Sequence, residues 1–257
     1  MAIFKSSNPI IKESAYQGTI FEGMTQTGEN TMSVKGTLNK FGFLMLMMMA
    51  SSIFSWKYAE AGNNIMPMLI GSIIGGMVLA IIMARNPKTS SYLAPAYALI
   101  EGLFVGAVSA YFEYGAMASG GYSGIVFQAV GITFTVAMVM YVLYRTRVIK
   151  VTQKFRSIII LATVSVAIFY LITWVLGLAF GIYIPFLYEN SMLGIGFSIL
   201  MVALASMNLL LNFDDIEKGV EMGAPKFMEW YSAFGLLVTI VWLYLEILRL
   251  LSKLNRN

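Results

Sequence analysis

Four acidic positions set in otherwise apolar sequence carry the chemistry open to this chain. Glu101 stands in ALIEGLFVG, Asp214 and Asp215 in LLNFDDIEKG, and Glu246 in WLYLEILRL. They read as the only carboxylates within or at the ends of the later apolar runs. A charge in hydrocarbon is costly enough to demand a function or a partner. Carboxylates in that setting exchange protons or hold hard cations such as Ca²⁺, which prefer oxygen ligands. The chain has no Cys and no His. That removes disulfides, thiol nucleophiles, the usual zinc sites, imidazole haem ligation and Ser/His or Cys/His catalysis. No P-loop, GxGxxG after a strand or GxSxG supports nucleotide or ester chemistry. Nor is there a GxGD-type aspartate motif for an intramembrane hydrolase. The expectation is a protein that is not an enzyme and carries no cofactor, with Ca²⁺ or H⁺ as the ion transported or sensed.

Each acid has a structural alternative. Glu101 lies about 14 Å into its helix at 1.5 Å per residue, the deepest charge in the chain. It is either a proton or cation ligand or a protonated, hydrogen-bonded carboxyl that locks two helices. Glu246 precedes Arg249 by three residues, which puts both on one helix face. The pair is either a local ion pair or a carboxylate that exchanges partners with pH. Asp214 and Asp215 are expected to end their span, where carboxylates oppose the helix macrodipole. They are either a solvated helix end or an acidic mouth able to gather Ca²⁺.

The elements that position these groups follow from composition. Hydrophobic residues make up 58% of the 257 and charged residues 12%, against about 25% charged in soluble domains. Seven apolar runs of about twenty residues, the length a helix needs to cross a bilayer, cover Leu38 to Trp56, Ile65 to Ala84, Tyr92 to Phe112, Ile125 to Tyr144, Ser157 to Ile182, Met192 to Phe213 and Trp230 to Leu251. Continuous apolar stretches such as Ile158 to Ala167 lack the alternation of a membrane strand. The fold class is therefore all-α, a bundle of seven transmembrane helices. Pro67 and Pro95 are expected in first turns, where a missing N–H is harmless. Residues 1–37, polar and without the apolar core of a signal peptide, read as a flexible tail, and 38–257 as the transmembrane domain.

Lys and Arg set the orientation. With the N-terminus inside, thirteen fall on the inner side, including Arg85, Lys88 and the Arg145 to Arg156 loop, against Lys57, Arg249, Lys253 and Arg256 outside. Positive short loops stay in the cytoplasm, so the N-terminus is expected there. The basic end RLLSKLNR pulls the other way and makes the seventh helix the least secure crossing. The same loops account for the net charge of +4 without a nucleic-acid partner. Gly71 with Gly75, Gly102 with Gly106 and Gly177 with Gly181 are spaced for close helix packing. The 19 Met read as gap fillers rather than a soft-metal path. No internal repeat argues for a repeat-built transporter.

Three stretches carry a resemblance. APAYALIEGLFVGAVSAYFE (Ala94 to Glu113), NLLLNFDDIEKG (Asn208 to Gly219) and WLYLEILRLLSKL (Trp242 to Leu254) resemble the Bax inhibitor family of transmembrane proteins, in its bacterial branch. The resemblance implies seven helices with the last one central. It also implies a pH-sensitive calcium leak whose sensor pairs an acid late in helix six with one in helix seven, engaged by a basic residue after helix two. Glu246 matches the helix-seven acid through LYLE, and Arg85 is the rough match for the basic residue. Counting back four from Ile216 puts Asn212 at the helix-six position, with Asp214 two residues on. Asn cannot titrate, so Asp214 is expected to take the role, with an Asn212 hydrogen bond or Glu101 as alternatives.

The expected function is a pH-sensitive cation leak in a bacterial inner membrane, its flux changing steeply between roughly pH 6 and 8, since desolvated carboxyls titrate well above their usual range. The alternative is a non-conducting interaction protein that modulates a membrane-bound protease or a stress response. The lipid bilayer is the partner in either case.

Overall fold

Seven long helices make up almost all of the chain seen in the computed structural model, which describes residues 31–118, 120–182, 184 and 190–255. They are α1 (Val34–Glu60), α2 (Met66–Arg85), α3 (Ser90–Ala118), α4 (Ile125–Arg145), α5 (Gln153–Phe180), α6 (Met192–Glu221) and α7 (Met228–Leu254), with one 3₁₀ turn, Pro87–Thr89. All seven are long and apolar enough to cross a membrane. Among the described residues there is no strand, only an isolated bridge between Thr31 and Pro225. The all-α, seven-helix fold expected from composition is the one observed. The expected tail as far as residue 30 lies outside the described residues. Its last residues are in place: Ser33 caps α1 by accepting from the Gly36 N–H at 3.0 Å.

The helices outrun their apolar runs, and local chemistry explains why. α3 begins directly on the 3₁₀ turn, which puts Pro95 inside the helix and not in its first turn as expected. Pro67 does sit at the start of α2. α5 opens on Thr152, whose hydroxyl accepts from the Phe155 N–H at 3.2 Å, and stops at Gly181, where φ of 66° places the backbone in the left-handed region. That conformation suits glycine. Gly181 therefore ends a helix and does not pack one.

The chain divides into two compact units. Of the described residues, one unit comprises those up to Tyr111 with Asn212–Val241, and the other those from Phe112 to Leu211 with those from Trp242 onward. In the first unit α3 lies directly on α1: side chains added at Gly102 and Gly106 would meet the backbone carbonyls of Met48 and Ser52. This pair behaves as small residues four apart should in lipid. At Gly71 nothing lies within 4 Å, so its spacing to Gly75 has no packing role there. Tyr97 of α3 meets Phe234 of α7 edge-on, with centroids 4.8 Å apart. In the second unit Ile159 and Ile160 of α5 pack with Met201, Leu204 and Leu211 of α6, flanked by Phe197 and Trp242.

Burial sorts the helices. In α7, 67% of the most apolar window is enclosed by protein, the highest share of the seven, while α5 has 6% at a mean hydropathy of 2.5. An apolar helix left so open needs an apolar solvent. The last helix is the one most surrounded, as the resemblance implies.

Candidate functional site

In the first unit, Asp214 and Asp215 do not end a helix. α6 continues to Glu221, almost two turns beyond them. The reason is local: Lys218 pairs with Asp214 at 2.7 Å across one turn, and Ile216 is buried beside them. An i,i+4 pair of that kind stabilises the helix it lies on. Both aspartates are 7% exposed, so they are enclosed side chains and not a solvated end. Consecutive helical residues point about 100° apart, so the two carboxylates cannot close on one ion by themselves. Among the described residues no three His, Cys, Asp or Glu side chains converge as a metal site requires.

Asn212 is buried one turn earlier. Its side-chain amide donates to the Thr239 hydroxyl of α7 at 2.6 Å, and Thr239 donates to the Gly235 carbonyl at 3.1 Å. This non-titrating bond ties α6 to α7 where the resemblance places an acid. Glu101 accepts from the Tyr97 hydroxyl one turn before it on α3, and a side chain added at Gly76 of α2 would lie 3.5 Å from its carboxylate. Arg85 is exposed in the last turn of α2, the helix end that favours a cation.

In the second unit Glu246 is 2% exposed and surrounded by donors. Arg249 reaches its two oxygens at 3.1 and 2.9 Å, Trp242 Nε1 donates at 3.2 Å, and the Tyr170 hydroxyl of α5 donates at 3.3 Å. Arg249 also donates to Tyr170 at 2.8 Å, with its guanidinium 5.4 Å from that ring's centroid. Steps of four, three and four put Trp242, Glu246, Arg249 and Lys253 on one stripe of α7. Lys253, itself buried, donates to the Gly194 carbonyl in the first turn of α6 at 2.9 Å. Tyr170 was invisible as a partner in the sequence, because one hydroxyl in α5 carries no pattern.

Two further buried acids correct the expectation that Glu101, Asp214, Asp215 and Glu246 were alone in the runs. Glu113 lies in α3 because that helix extends past Phe112, and it accepts from the Gly124 and Val126 N–H groups that open α4. Glu229 lies in the first turn of α7, which starts before Trp230. It accepts from the Ser33 N–H at 2.9 Å and the Ser33 hydroxyl at 3.0 Å, and pairs with Lys40 and Lys226. A side chain at Gly36 would collide with its carboxylate. Both acids satisfy backbone or cationic groups at helix ends, a structural task. Acid in a first turn and glycine opposite it were the available signals.

The fold and these enclosed acids define a polytopic membrane protein whose carboxylates are held by its own helices. A family described as Bax inhibitor 1 like matches residues 8–256, and the chain belongs to that family. The comparison with curated proteins gave no match.

Proposed function

We propose that this protein is a pH-sensitive cation leak, with Ca²⁺ as the conducted ion, in a bacterial inner membrane and with a cytoplasmic N-terminus. The observation that carries the reading is the enclosed Glu246, which a single guanidinium neutralises and a tyrosine and a tryptophan hold in place. A proton on Glu246 cancels the ion pair within α7 and weakens its hold on the Tyr170 hydroxyl, leaving the Arg249–Tyr170 bond as the remaining polar tie of this cluster to α5. A carboxylate that is locked only while ionised is a switch. Flux therefore rises as pH falls. Asp214 and Asp215 supply oxygen ligands for a hard cation in transit, and their separation around the helix suits passage better than retention. With no His in the chain, carboxylates are the groups that respond.

The test is Ca²⁺ efflux from proteoliposomes holding the purified chain, measured across pH. A flux that grows toward acid supports the leak. Protein-dependent flux that is absent at every pH refutes it and favours the non-conducting alternative, a protein that modulates a membrane-bound protease through its helices. Orientation rests on thirteen Lys and Arg on the inner side against four. A reporter fused in the Arg145 to Arg156 loop should read cytoplasmic.

A further inference from the structure

The short connection from α4 to α5 holds Arg147 and Lys150, with Arg145 closing α4 and Lys154 and Arg156 in the first turn of α5, and the sequence has no acid anywhere between Glu113 and Glu189. Neither α4 nor α5 can therefore neutralise the loop from its own length. Arg145, Arg147, Lys150 and Lys154 are exposed, and Arg156 is buried. Between the exposed cations Val148 stands out as an apolar tip, 70% exposed.

The turn that presents these groups is built. Arg147 has φ of 58°, the one non-glycine residue in the left-handed region among the described residues, a conformation that L-residues with a Cβ disfavour. Its N–H donates to the Tyr144 carbonyl at 3.0 Å, its guanidinium stacks 5.4 Å from the buried Tyr144 ring, and the Val148 and Ile149 N–H groups both reach the Leu143 carbonyl. Beyond the turn, Val151 and Phe155 pack on the α5–α6 core. Both shoulders are thus anchored while the cations and Val148 face outward. Between two membrane-spanning helices, exposed cations beside an exposed apolar residue suit a surface of anionic headgroups over hydrocarbon.

We propose that this loop is a docking surface for anionic phospholipid headgroups of the leaflet it faces. The stacked Arg147 and the exposed Lys150 and Lys154 engage the phosphates, and Val148 enters the boundary below them. A loop that served only to orient the chain would need the charges but not the fixed turn or the tip.

Native mass spectrometry of the full chain in detergent, titrated with phosphatidylglycerol or phosphatidylcholine, tests this. Wild type should bind phosphatidylglycerol at least tenfold better. Because one cation near an anionic surface contributes about 1 kcal/mol, Lys150→Gln should weaken that binding about fivefold, while Lys57→Gln in the last turn of α1 should not. Val148→Ser keeps every charge that orients the chain and should still lower phosphatidylglycerol binding. Equal binding of the two lipids, or phosphatidylglycerol binding unchanged in both Lys150→Gln and Val148→Ser, overturns the proposal. So does displacement of the lipid by excess inorganic phosphate, which would make the loop a site for free anions.

Discussion

Removing Arg249 while leaving Glu246 in place should be the most damaging single change in the second unit. Arg249→Gln leaves a carboxylate 2% exposed with only the Tyr170 hydroxyl at 3.3 Å and Trp242 Nε1 at 3.2 Å to hold it. Breaking a buried ion pair by deleting one partner costs roughly 3–5 kcal/mol. The Arg249 side chain is 36% exposed, so solvent already screens part of the pair and the lower end, about 3 kcal/mol, applies. Glu246→Gln keeps an acceptor for Trp242 and leaves Arg249 bonded to Tyr170, so it should cost about 1–2 kcal/mol. With both changed no unpaired charge is left, and the double variant should cost about 2 kcal/mol, not the sum. The coupling between the two positions is then about 2–3 kcal/mol, well above the few tenths expected of independent sites. Equilibrium unfolding of the four proteins in mixed micelles measures it. Additive losses within about 0.5 kcal/mol would refute the reasoning, because the two side chains would then be acting independently.

Gly102→Ala and Gly106→Ala should each destabilise by about 1–3 kcal/mol by driving a methyl into the α1 carbonyls, whereas Gly71→Ala, with open space around it, should be neutral or stabilising in the same unfolding assay. Thr239→Val should cost about 1–3 kcal/mol by stranding the buried Asn212 amide, Asn212→Leu should cost less because the Thr239 hydroxyl keeps its bond to Gly235, and the double change should cost less than the two singles summed. Gly36→Ala should lower thermal stability, and the combination with Glu229→Gln should not relieve the loss, since the amide occupies the same space.

Composition settled the seven helices because the hydrocarbon solvent admits few structures in which every backbone group is bonded internally. Continuous runs such as Ile158 to Ala167 could only be helical. Helix ends were less legible, since they depend on side chains that cap and pair. Thr152 and the Asp214–Lys218 pair extend helices past the apolar text, and that is why Asp214 and Asp215 read as a terminus. The same shortfall hid Glu113 and Glu229, which lie in the turns that the apolar runs omit. Spacing predicted the Glu246–Arg249 pair correctly, because three residues on a helix bring side chains together. It could not supply Tyr170, which is 76 residues away along the chain, nor Thr239 as the partner of Asn212. Glycine spacing was only half informative: Gly102 and Gly106 face a neighbouring helix and Gly71 does not, a difference set by rotation of the helix and not by its text.

Ca²⁺ efflux from proteoliposomes carrying wild type or Glu246→Gln, compared across pH, tests the central claim most directly. The account predicts a wild-type flux that rises toward acid and a Glu246→Gln flux that hardly varies with pH. A variant with the wild-type pH profile would remove Glu246 from the switch and contradict it.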